Sequence, residues 1–188
     1  MKKFLTLSLL SFILFFGCNQ ESEMTSPVDN STNLQLKLIS LPTPSGGLNV
    51  ETDYTVYKEI NGGTGGSFWA SYSYEGGPNG MVYISSGLNF PANSFSSIKI
   101  ISKTFSSTGA AMVFGPPMTF NAPIYYTLKI GGLDLTGVNP ETLDFVYIDS
   151  NGNMFPCEYD FVRMYQTEGV LMVKNAKLNH FSRYGFVN

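Results

Sequence analysis

The chain has 188 residues, a formal net charge of −3, 43% hydrophobic residues, 14% aromatics and only 13% charged residues. That length suits one ordinary domain with a tail, and the apolar and aromatic content excludes a disordered chain. Eleven Lys and Arg are too few for a nucleic-acid-binding patch, and one His with two Cys excludes a Cys/His zinc site.

Lys2 and Lys3 form a basic start, and Phe4 to Phe16 is an apolar run too short to span a membrane. Gly17-Cys18 follows, and residues 1–17 resemble a bacterial lipoprotein signal peptide, with Phe15 standing where Leu is usual. The resemblance implies a cut after Gly17, a diacylglycerol thioether on Cys18 and an anchor in membrane lipid. Two or three acyl chains hold far more firmly than one, at about 0.8 kcal/mol per buried methylene. Asn19 leans towards the outer membrane over the inner, so the expected location is the bacterial cell envelope. Cleavage removes two lysines and no acid, leaving nine basic and 14 acidic residues, a net charge of −5. Cys157 is then the one remaining thiol, and no intramolecular disulfide forms. Residues 18–33 hold Cys18 and a polar, aperiodic stretch with Pro27. We read that stretch as a flexible tether spanning about 20 Å.

Residues 34–188 read as short strands separated by turns. Leu34, Leu36 and Leu38 alternate with polar residues, and Tyr54 to Ile60 is β-branched and aromatic. Phe68, Ala70, Tyr72 and Tyr74 alternate with Trp69, Ser71 and Ser73. Further strands are expected over Met81–Ser85, Ser97–Lys103, Ile124–Ile130, Leu143–Asp149 and Val170–Lys174, with Leu178–Val187 closing the chain. Gly- and Asn-rich turns punctuate them, and no window carries a helical apolar stripe. About nine to eleven short strands argue for an all-β fold, a single antiparallel β-sandwich of immunoglobulin-like architecture.

Four segments carry a family likeness. They are Gly87 to Phe95, Phe114 to Pro123, Leu143 to Gly152, and Leu178-Asn179-His180-Phe181-Ser182-Arg183-Tyr184. In order and spacing, over roughly residues 58–186, they resemble the β-sandwich domain of zonula occludens proteins, netrin receptors and ankyrins (the ZU-type domain). Asn93 and Met118 stand where that pattern has Gly. The resemblance implies a domain that binds other proteins or domains.

Relatives of that family cut their own backbone between Phe and Ser. Carried over, Ser182 attacks the Phe181 carbonyl with His180 as general base, and an ester forms before hydrolysis. A single sandwich and a released piece of only Ser182–Asn188 count against it. The preferred reading has His180 bonded to backbone and Ser182 satisfying a turn. In an extended strand Leu178, His180, Ser182 and Tyr184 share one face, so His180 and Ser182 are expected as half-buried neighbours.

Asp149, Asn151, Asn153 and Asp160 mimic a calcium loop. Met154 stands at the position needing Gly and Pro156 interrupts the ligands, so a hairpin turn is expected. Trp69, Tyr72, Tyr74, Tyr125 and Tyr126 are candidates for a sugar-stacking platform, but aromatics in sandwiches mainly fill cores. Trp69 is the exception, because alternation turns it away from Phe68 and Tyr72. No nucleophile elbow, zinc-protease motif or phosphate loop is present, and Asp134, Glu141, Asp144, Glu158 and Glu168 are scattered. The expectation is a non-enzymatic, membrane-anchored lipoprotein, without metal or cofactor, that presents a sandwich as an interaction or structural module to a protein or glycan partner. The alternatives are a glycan-binding surface lipoprotein and a domain that cleaves itself between Phe181 and Ser182.

Overall fold

Alternating side chains become strands wherever Gly, Asn or Pro bounds the run. A computed structural model of the protein describes residues 36–45, 53–106 and 109–188. The proposed leader, Gly17, Cys18, the tether and Leu34 lie outside the described residues. The strands are β1 (Tyr54–Asn61), β2 (Gly66–Gly77), β3 (Gly80–Phe90), β4 (Ile98–Phe105), β5 (Ala111–Gly115), β6 (Thr119–Gly131), β7 (Asp144–Ile148), β8 (Met154–Pro156), β9 (Phe161–Tyr165), β10 (Val170–His180) and β11 (Arg183–Val187).

They form two antiparallel sheets. One has six strands in the order β1-β4-β5-β11-β7-β8, and the other five in the order β2-β3-β6-β10-β9. The described residues contain no helix, and the two sheets make the sandwich that the turn spacing predicts. Their inner faces meet over one core, which includes Phe68, Ile84, Leu88, Ile101, Leu128, Phe145, Leu171 and Phe186. At one end the filling is aromatic. Phe181 stands edge-on to Phe120 at 4.9 Å and stacks on Phe114 at 5.5 Å, with Phe90 at 6.4 Å. Such pairs add about 0.5–1.5 kcal/mol each beyond the area they bury.

A second, smaller cluster lies on the outer face of the six-stranded sheet, where Leu38 covers Val146, Ile148 and Val187. Gly185 lets it approach, since a Cβ there would lie 2.8 Å from a Leu38 methyl carbon. The alternation around Leu36 and Leu38 therefore yields not a full strand but isolated bridges, Leu38 to Val187 and Ser40 to Gly109.

The closing segment differs from the expected single strand. β10 absorbs Val170–Lys174 and runs on to His180 in the five-stranded sheet, whereas β11 starts at Arg183 in the six-stranded one. Phe181-Ser182 is the crossing between them. Phe181 is only 4% exposed, and its backbone N–H donates to the Met118 carbonyl at 2.8 Å. Burying that ring between the sheets changes the direction of the chain. β5 and β9 also go beyond the expected strands. β5 is hidden between Gly109 and the Gly115-Pro116-Pro117 turn, and β9 holds only five residues with Arg163 at its centre.

Candidate functional site

The face built from the sequence upward is the outer surface of the five-stranded sheet. β2 turns Phe68, Ala70, Tyr72 and Tyr74 towards the core, and Trp69, Ser71 and Ser73 towards solvent. On β3 their partners are Gly87, Ser85 and Tyr83. Trp69 is 61% exposed and Tyr83 59%. An ideal Cβ on Gly87 would lie 2.6 Å from three carbons of the Trp69 benzenoid ring. The indole therefore lies face-on against the β3 backbone, with its other face open. Only glycine opposite permits that placement.

Beside it runs an open groove of about 750 Å³ whose floor and rim include Ser71, Ser73, Asn79, Tyr83, Ser85 and Lys129. Two exposed rings flank a run of hydroxyls, with donors and acceptors between apolar faces. Sugars are recognised by this combination of ring stacking and directional hydrogen bonds.

The five expected platform aromatics are not one platform. Tyr72 stacks on Tyr54 at 4.4 Å, Tyr74 donates its hydroxyl to the Pro42 carbonyl at 3.0 Å, and Tyr126 is fully buried. Trp69 and the half-buried Tyr125 share the outer face. Tyr83, which sequence reasoning missed, joins them there. The signal was present in Val82-Tyr83-Ile84, where the phase of β3 turns Tyr83 outward between two buried residues.

His180 and Ser182 are not partners on one strand face. The His180 ring stands edge-on to Tyr147 at 4.5 Å and lines a polar pocket of about 240 Å³ with Cys157, Glu158, Lys177 and Tyr184. Ser182 Oγ donates to the Ile148 carbonyl at 3.4 Å, and no hydrogen bond joins it to His180 among the described residues. Phe181 and Ser182 both keep negative φ angles, so the left-handed region stores no strain there. Tyr184 Oη donates to the His180 carbonyl at 2.9 Å, stapling the sheet crossing from the far side. In the same pocket burial, with Asp144 and Glu158 nearby, pushes the Cys157 thiol up to about 12. It therefore remains a thiol at neutral pH and is a poor nucleophile.

Asp149 closes the β7–β8 hairpin. One carboxylate oxygen accepts from the N–H groups of Asn151 and Asn153 at 2.9 and 2.8 Å, and the other accepts from the Asn153 side chain at 2.8 Å. These bonds hold its pKa below the ordinary value. Asp160 instead bonds the Asn175 amide at 2.7 Å. The two acids thus serve separate local structures.

One buried lysine amine was not expected. Lys103 is 0% exposed and crosses from β4 to the other sheet. Its Nζ donates to the carbonyls of Phe68 and Ser86 at 3.0 Å each and to Ser86 Oγ at 2.9 Å, with the Phe68 ring centre 4.3 Å away. Burial lowers its pKa to about 7. The signal was its phase, since Ile101, Lys103 and Phe105 alternate onto the core side.

Against known proteins, no family model, no curated protein and no solved structure matches the chain.

Proposed function

We propose that the protein is a non-enzymatic lipoprotein of the bacterial cell envelope, anchored by acylated Cys18. Its sandwich, of ZU-type likeness, serves as an interaction module. The observation that carries the interaction-module reading is the open indole of Trp69, held flat over Gly87 one outward position from Ser71 and Ser85, which line the groove. A large aromatic held exposed is more useful to a ligand than to the fold, because its outward face buries no area within the domain.

A glycan is the second reading, and the exposure of Trp69 and Tyr83 around Ser71 and Ser85 favours it. Self-cleavage at Phe181–Ser182 gains no support from an arrangement in which Ser182 donates to Ile148 and is not bonded to His180.

Intact mass of membrane-extracted protein tests the anchor and the backbone together. We expect loss of residues 1–17, acyl chains on the new N-terminus, and one species that retains Ser182–Asn188. Cys18→Ser releases the protein from membranes. A mature mass without acyl chains refutes the anchor, and a species ending at Phe181 refutes the non-enzymatic assignment.

A further inference from the structure

The outer face that carries Trp69 continues across β6, β10 and β9, and there it becomes cationic. Ser85 pairs with Lys129, Lys129 with Met172, and Met172 with Arg163, so these outward side chains form one row. In the next row Lys174 lies opposite Phe161. The Arg163 guanidinium is held 4.2 Å over the Phe161 ring. The outward positions within β6, β9 and β10 carry no acid; just before β9, Asp160 is engaged by the Asn175 amide and Glu158 by Lys177, and Glu75 stands outward on β2. Lys129, Arg163 and Lys174 make no ion pair among the described residues, where the one such pair is Lys177 with Glu158. A chain with an acidic mature balance thus gathers three unpaired cations on the face that also carries its exposed indole. Glu168, in the β9–β10 turn, is the single carboxylate lining the groove.

We propose that this face binds an acidic polysaccharide, a chain bearing uronate carboxylates. Its sugar rings stack on Trp69 and Tyr83, and its carboxylates pair with Lys129, Lys174 and Arg163. The inference rests on reading this face as the binding surface. Strand geometry sets the reach: Trp69 and Tyr83 stand about 14 Å apart along the sheet, and Trp69 and Lys129 about 12 Å apart across it. Those separations require several linked sugars, and the groove is open along its length to admit them. The cations complement a negative ligand, while hydroxyls and stacking rings suit its pyranose faces. Three cations are too sparse for a polyphosphate duplex, which carries one charge per ~1.7 Å of its axis.

The test is affinity electrophoresis of detergent-solubilised full-length protein through gels containing polygalacturonate or a neutral β-glucan, with circular dichroism verifying that each variant is folded. We expect polygalacturonate to retard the wild-type protein and added salt to relieve the retardation. Trp69→Ala should abolish it. Exposed charge pairs are individually weak, so Lys129→Gln with Lys174→Gln should weaken it about tenfold. Glu168→Gln should strengthen it. Retardation by the neutral glucan that the lysine variant leaves unchanged would overturn the acidic ligand and leave a glycan-binding face standing. Polygalacturonate retardation that survives Trp69→Ala, or equal retardation by short duplex DNA, would reduce the effect to charge alone and also overturn it. If no polysaccharide retards the wild-type protein, the glycan inference fails, while the anchored-module reading is still judged by the mass of the Cys18 species.

Discussion

Lys103 makes the stability of the sandwich depend on pH in a window where few other groups act. In the unfolded chain its amine has an ordinary pKa of 10.5, whereas in the fold burial lowers it to about 7. Between those values the unfolded chain binds a proton that the native state does not. Stability therefore rises as pH rises through this interval, and is lost as pH falls towards 7. Native Cys157 retains its proton up to about 12 against an ordinary value of 9.0, and Tyr74 and Tyr159 up to about 12 against 10.0. Those groups act in the opposite sense above pH 9, so the clean window is pH 7 to 9. At 1.36 kcal/mol per unit, with the native amine half-titrated at the lower end, the gain across it is about 2 kcal/mol. Urea unfolding followed by far-UV circular dichroism at several pH values measures it. Wild type should gain that amount and Lys103→Met should lose the slope, whatever its absolute stability. A parallel rise in both proteins would refute the assignment of the slope to Lys103. Cys157→Ser provides the control for the opposing trend above pH 9.

The remaining predictions concern the sheet crossing, the indole and the thiol. Phe181→Ala removes a ring that touches Phe90, Phe114 and Phe120, and should lower the unfolding free energy by about 3–5 kcal/mol. A loss below about 1 kcal/mol would show that β10 and β11 do not depend on that anchor. Gly87→Ala places a methyl where the indole now lies. It should change the Trp69 emission spectrum and weaken glycan retention while altering stability by less than about 1 kcal/mol, since the displaced ring is at the surface. Unchanged emission would mean that Trp69 does not rest on Gly87. Cys157 should react with a disulfide reagent at pH 8 far more slowly in the native protein than in urea, and equal rates would contradict its raised pKa.

Much of this architecture is legible in the one-dimensional pattern, because a strand has a strict period of two. The run from Phe68 to Tyr74 already places Trp69 on the solvent side, and Asp149-Ser150-Asn151-Gly152 already reads as a turn. The same period turns Tyr83 outward and Lys103 inward, but both follow only once the strand boundaries are known. Lys103 is the harder of the two, because a charged residue at a core phase is tolerable only where acceptors await it. Those acceptors belong to Phe68 and Ser86, on strands of the opposite sheet.

By itself the sequence determined the alternation, the turns and hence the all-β class, since these depend on neighbours a few residues apart. Tertiary structure alone decided which strands share a sheet, and it split the closing segment at Phe181 because a buried ring between the sheets outweighs local β propensity. It also assembled the candidate face. Trp69 from β2, Gly87 and Tyr83 from β3, Lys129 from β6 and Arg163 from β9 are distant along the chain, and only the register of four strand pairings sets them side by side.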